Sequence, residues 1–174
     1  GQMYPEMESY FLAIRRGSQR LMRTVEHILN ISSIQVGTFS VQPEEILRAA
    51  RLLSHARCQV IAWNGTSAGW LGFDRDERLC EAITRETGAL ACTSVLALNE
   101  IFTLTGVKRF GLVTPYLDDV QAAIVRNYAR SGFECVTESH LRLRDNFSFS
   151  EVSADEIRAM VRDAAKARPD AITI

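Results

Sequence analysis

Short apolar runs of strand length alternate along this chain with amphipathic stretches of helix length, the pattern of a parallel sheet covered by helices. Gln59 to Trp63 reads as a buried strand that ends at Asn64-Gly65. Before it, Pro43 followed by Glu44 and Glu45 opens a helix. Proline fits a first turn, where its missing N–H has no partner, and the carboxylates suit the positive end of the dipole. Ile46, Ala50 and Leu53 then recur at helical spacing. Arg78 to Thr87 reads as a helix closed by Gly88, and Ala89 to Cys92 as a short strand. Thr93 or Ser94 caps a helix with Val95, Leu98 and Phe102 on one face, stopped by Gly106.

The second half repeats the pattern. Lys108 to Val113 reads as a strand, and Thr114-Pro115 opens a helix carrying Leu117, Val120, Ile124 and Tyr128 that ends at Gly132. Phe133 to Val136 is a further strand. Ser153 and Glu156 fit a capping box that starts a helix with Ile157, Met160, Val161 and Ala164 on its apolar face. A strand begins at Ala171. At the other end, Pro5 to Ile14 reads as a helix and residues 17–38 as helix then strand. The chain opens at a helix and stops inside a core strand, so both ends of the natural protein are expected to lie outside this sequence.

Composition narrows the function classes. Hydrophobic residues make up 47% and charged residues 24% of the chain, ordinary globular values. With a formal net charge of -1, there is no basic stripe of the kind nucleic acid requires. No apolar run approaches the roughly 20 residues of a membrane span, and the start lacks a signal peptide's charged head and apolar centre. Cys58, Cys80, Cys92 and Cys135 are far apart and form no CxxC pair. They read as reduced, mostly buried packing thiols of a cytoplasmic protein. His27, His55 and His140 show no metal-ligand spacing with one another or with a cysteine, so no metal is expected.

Ligands of an open parallel sheet bind beyond the carboxyl ends of its strands, so the turns just after strands are where chemistry is sought. Asn64-Gly65-Thr66-Ser67 follows the most apolar strand. Its glycine permits close backbone approach, and its N–H groups and hydroxyls form a donor-rich nest for a carboxylate or oxyanion. A capped structural turn accounts for the same residues. Tyr116 follows the strand ending at Val113; its phenol can serve an anion or simply reach water from a half-buried ring. Asn146, in the polar loop after the strand near Phe133, offers amide donors, but Asp145-Asn146 is also ordinary turn chemistry.

In order and spacing, three stretches resemble one group of enzymes: Val60 to Ser67, Gly111 to Val120, and Arg144-Asp145-Asn146. They are similar to arylmalonate decarboxylases and maleate cis-trans isomerases of the aspartate/glutamate racemase superfamily. The likeness runs from about Pro43 to Ile174, with a weaker match of Met3 to Met7 to the family's first helix. It implies an α/β fold of two similar lobes, each a parallel sheet flanked by helices. Residues 1–106 would form the first lobe, lacking its first strand, and 107–174 an incomplete second lobe. It also implies that Gly65 stands where racemases and maleate isomerases carry a first catalytic cysteine. Arylmalonate decarboxylases resemble this chain in having Gly-Thr-Ser there, with one cysteine in the second lobe, just past Ile174 here. The implied activity is cofactor-free decarboxylation of a small dicarboxylic acid through an enediolate. Gly65, Thr66, Ser67, Tyr116 and Asn146 would bind the substrate, with Tyr116 also a catalytic donor. Isomerisation, racemisation and non-catalytic carboxylate binding by the same scaffold are the alternatives. A homo-oligomer fits any of them.

Overall fold

A computed structural model describes residues 42–174. The expected helix at Pro5 to Ile14, the segment 17–38, the match at Met3 to Met7 and His27 lie outside the described residues. Residues 40–143 with 148–174 form one compact unit, and Arg144–Phe147 belong to a second unit otherwise outside the description.

Within the first unit the elements alternate as expected. They run α1 (Pro43–Ser54), β1 (Val60–Trp63), α2 (Ala68–Leu71), α3 (Phe73–Thr87), β2 (Leu90–Thr93), α4 (Ser94–Thr105), β3 (Arg109–Thr114), α5 (Asp118–Arg130) and β4 (Glu134–His140). After α6 (Asn146–Glu151) come α7 (Ala154–Ala165) and β5 (Ala171–Thr173). All strand pairing is parallel, as the alternation requires. β1 pairs with β2, Val60 opposite Leu90 through Trp63 opposite Thr93, and a separate sheet has the order β4-β3-β5.

The second sheet carries the larger core. On β3, Phe110 is fully buried and Leu112 and Val113 nearly so. One side packs Phe102, Val107, Phe110, Leu112, Ile124, Tyr128 and Phe133 together, with aromatic rings 5.0–6.2 Å apart. The apolar surroundings push the Tyr128 phenol up to about 12 by desolvation. The other side holds Val113, Met160 and Ala164. Gly111 is tightly enclosed: a Cβ there would lie 3.1 Å from Thr137 and 3.3 Å from Ile172, side chains of the two flanking strands.

Several sequence expectations need correction. β1 is not buried throughout, because only Ile61 among its residues is fully covered, by Ala50, Leu79, Ile83 and Ala89. Val60 and Ala62 point to the opposite, exposed face of the strand. Cys92 is exposed for the same reason, sharing the outward face of β2 with Leu90, so it is no packing thiol. Leu53 is half exposed, and Leu47 packs on the core in its place. α3 starts at Phe73 rather than Arg78, and α5 starts at Asp118 rather than Thr114-Pro115, with extended Leu117 at its N-cap. Asn146 opens a short helix instead of lying in a loop.

The caps follow the sequence closely. Thr93, not Ser94, caps α4 by accepting from the Leu96 N–H at 3.1 Å. Ser153 caps α7 from the Glu156 N–H at 3.2 Å. Gly88 and Gly106 close α3 and α4 in the left-handed conformation, φ +73° at both. No described helix is long and apolar enough to cross a membrane.

Candidate functional site

The turn after β1 leaves its donors free. Its carbonyls are occupied: Thr66 O accepts from Gly69 N at 3.0 Å, Ser67 O from Trp70 N at 3.1 Å, and Gly65 O from the Ser94 hydroxyl at 3.1 Å. Among the described residues, no acceptor takes the N–H groups of Gly65, Thr66 or Ser67. The Ser67 hydroxyl makes no capping bond to α2, although Ser67 stands at its N-cap. Thr66 is exposed, and Gly65 and Ser67 are half-buried, so the turn lies at the surface. A row of N–H groups without acceptors can receive an anion at little cost in displaced protein bonds.

Gly65 is glycine for a steric reason. A Cβ there would fall 2.6 Å from Cζ2 of Trp63 and nearer still to other atoms of the indole. The ring therefore occupies the space in which any side chain at 65 would begin.

The turn after β3 is held quite differently. Its carbonyls at Thr114, Pro115 and Tyr116 accept from the N–H groups of Leu141 (3.2 Å), Leu143 (2.9 Å) and Arg142 (3.2 Å), so residues 141–143 run back alongside it. The Tyr116 N–H donates to Thr114 Oγ1 at 3.3 Å, and the Thr114 hydroxyl donates to Gln121 Oε1 at 2.6 Å. The Tyr116 ring sits between Trp70, 5.3 Å away at 60°, and Phe149, 5.9 Å away at 73°. Just beyond, Asp118 Oδ1 lies 2.6 Å from His140 Nε2 and 2.7 Å from Arg142 Nε. The bonds from His140 first, and from Arg142, hold the Asp118 carboxyl below its ordinary range.

The two turns meet. Tyr116 Oη lies 2.9 Å from Thr66 Oγ1, across fifty residues of sequence. The Asn127 amide adds a second tie, donating to Gly69 O at 3.0 Å. The phenol of Tyr116 thus meets a hydroxyl of the turn whose three N–H groups have no acceptor among the described residues. All are neutral donors, a set that can hold a carboxylate, a developing oxyanion or another anion. Asn146 stands at the start of α6 in the other unit, so this grouping rests on Gly65, Thr66, Ser67 and Tyr116.

Sequence reasoning missed three residues here. Trp63 lies within the stretch Val60 to Ser67 but was given no role, and Trp70 sits beside the turn with no motif to mark it. Gln121 did leave a trace, as a polar residue on the stripe that Leu117, Ile124 and Tyr128 define at helical spacing. His140, which shows no metal-ligand spacing in the sequence, has a largely buried side chain paired with the exposed Asp118. A recess of about 440 Å³ lies along α5 and β4, beside Val125, Arg126 and Cys135, and none of the candidate residues lines it. No group of metal-binding side chains occurs among the described residues.

A family model described as arylmalonate decarboxylase matches residues 22–174. No curated protein matches the chain. Among solved structures, an unliganded arylmalonate decarboxylase is 23% identical, with a TM-score of 0.66 over 75% of this chain and 58% of its own. A maleate isomerase from Pseudomonas putida S16 is 25% identical, with a TM-score of 0.65 over 76% and 59%. A maleate cis-trans isomerase from Nocardia farcinica, bound to TRIS, is 21% identical, with a TM-score of 0.66 over 75% and 55%. The α/β fold expected from the resemblance is the fold these proteins share, and the chain spans less than two thirds of the length of each.

Proposed function

This chain belongs to the arylmalonate decarboxylase family, and we propose from that premise that it is part of a cofactor-independent lyase acting on a small dicarboxylic acid. The observation that carries the reading is the meeting of Thr66 and Tyr116 beside N–H groups that have no acceptor.

One carboxylate of a malonate-type substrate sits on the N–H groups of Gly65, Thr66 and Ser67, with the Thr66 and Tyr116 hydroxyls bonded to its oxygens. When the bond from Cα to the second carboxylate breaks, CO2 leaves and the electron pair flows into the retained carboxylate, giving an enediolate. Charge then grows on the oxygens the donors already face, which is where preorganised donors lower a barrier. A proton delivered to Cα completes the reaction. That step falls to a second-lobe cysteine of the family pattern, since none of Cys58, Cys80, Cys92 and Cys135 follows the carboxyl end of a strand. The two-lobe organisation, residues 1–106 and 107–174, belongs to this reading as well.

Gly65 favours decarboxylation over two-base chemistry, because a single thiol can serve only one face of the intermediate. A maleate isomerase with its first cysteine replaced is the second reading, since solved maleate isomerases share the fold to the same degree as the decarboxylase. The test is to supply the complete protein with an aryl- or alkenylmalonate and, separately, with maleate. Release of CO2 from the first supports the decarboxylase. Conversion of maleate to fumarate without CO2 release moves the protein to the isomerases. Dicarboxylate binding with no turnover of either makes it a binding protein.

A further inference from the structure

We propose that Gln121 and Thr114 are a buried positioning pair for Tyr116, a role that rests on reading Tyr116 as the oxyanion donor. Gln121 is only 1% exposed, on the inward face of α5 near Ile124 and Tyr128. Burying a primary amide is unfavourable unless it is fully paired, and Gln121 Nε2 has no partner among the described residues. A leucine there would suit the core better, so the amide is explained by what its oxygen does.

Gln121 Oε1 takes the Thr114 hydroxyl proton at 2.6 Å, which fixes a rotor that would otherwise be free. The oxygen of Thr114 then turns a lone pair to the Tyr116 N–H at 3.3 Å. On its other side Tyr116 is held through its carbonyl by the Arg142 N–H. With N–H and C=O both tied, the residue is fixed where its phenol reaches Thr66. The pair touches no substrate. It acts through Tyr116, by holding the donor near the geometry that charge development requires, where errors of about an ångström cost catalysis heavily.

The test compares Gln121→Leu, Thr114→Val and Thr114→Ser in the complete protein, with an arylmalonate as substrate. Gln121→Leu and Thr114→Val are each expected to lower kcat about tenfold, the effect of losing one neutral hydrogen bond. KM should change less than kcat, since the N–H groups that hold the ground-state carboxylate are untouched and the phenol matters most as charge develops. Thr114→Ser keeps the hydroxyl and is expected to retain wild-type kcat. The nuclear magnetic resonance signals of the Tyr116 ring supply a readout independent of turnover, and should shift or broaden in the first two variants only. Loss of thermal stability with kcat and the ring signals unchanged overturns the proposal. Thr114→Val decides it should Gln121→Leu fail to fold. A wild-type protein inactive on arylmalonate and maleate alike fails the functional reading, while the Tyr116 ring signals still decide the pair.

Discussion

The turn after β1 and the turn after β3 occupy equivalent places, each at the carboxyl end of a parallel strand, yet they are secured by opposite means. Among the described residues, the strand beneath Gly65 pairs with β2 alone, Val60 is half exposed, and the N–H groups of the turn have no acceptor. The strand beneath Tyr116 is the centre of its sheet, and its turn has backbone bonds on one side and a buried polar pair on the other. A donor array needs unspent hydrogens, so it tolerates a loosely tied turn. A single phenol must be aimed, so its turn is tied down. The comparison teaches that free donors and fixed geometry are divided between two segments and joined by one 2.9 Å contact.

The comparison breaks most visibly at its foundation. Phe110→Ala should lower stability by about 3–5 kcal/mol, since the ring is wholly buried and packed against Phe102 and Tyr128. Chemical denaturation measures this, and a loss under about 1 kcal/mol would mean that β3 is no firmer a base than β1. Tyr116→Phe should cut turnover about a hundredfold while changing stability by only about 1 kcal/mol, the loss of one hydrogen bond. Wild-type rates in that variant would remove the phenol from the chemistry.

Gly65→Cys should destabilise by about 1–3 kcal/mol, because the new side chain collides with the Trp63 indole. Adding Trp63→Leu should recover most of that loss, and equal stability with and without the second change would show that the indole is not the obstacle. The smallest effect belongs to Asp118. Its carboxyl is held below the ordinary range, so its contribution is present above the unfolded-state value and fades as pH falls through the lower folded-state value. Asp118→Asn should therefore narrow its stability gap to wild type on acidification, and a gap that stays constant from neutral pH to about 3 would refute the assignment. The sign is opposite for Asp76, which burial pushes up and a bond from Thr93 draws partly back. Neutralising it as Asn should help most at neutral pH and least in acid.

Much of the fold is legible because its signals are local. Pro43, Thr93, Gly88, Gly106 and Ser153 each mark a helix boundary through chemistry confined to one turn, and the structure keeps each in that role. Burial on β1 and β2 was harder to see. Val60, Ala62, Leu90 and Cys92 look like core residues by type, but they lie on the exposed face of their strands, which residue type does not reveal. Within the candidate site, the glycine turn and Tyr116 could be found from their places after strands. Their contact spans fifty residues, and no local pattern encodes it. Gln121 lay between, visible as a polar break in an apolar stripe but without meaning until Thr114 was placed against it.

The bond between Thr66 and Tyr116 also sets terms of entry. At rest the two hydroxyls satisfy each other, so an incoming ligand that claims either one competes with a partner already in place. A neutral ester or amide exchanges one ordinary hydrogen bond for another and gains almost nothing. An ionised oxygen draws on charge-assisted bonds roughly twice as strong, and it can recruit both hydroxyls and the waiting N–H groups together. Under the proposed function, the closed pair would work as a threshold, admitting anions in preference to the neutral molecules that resemble them.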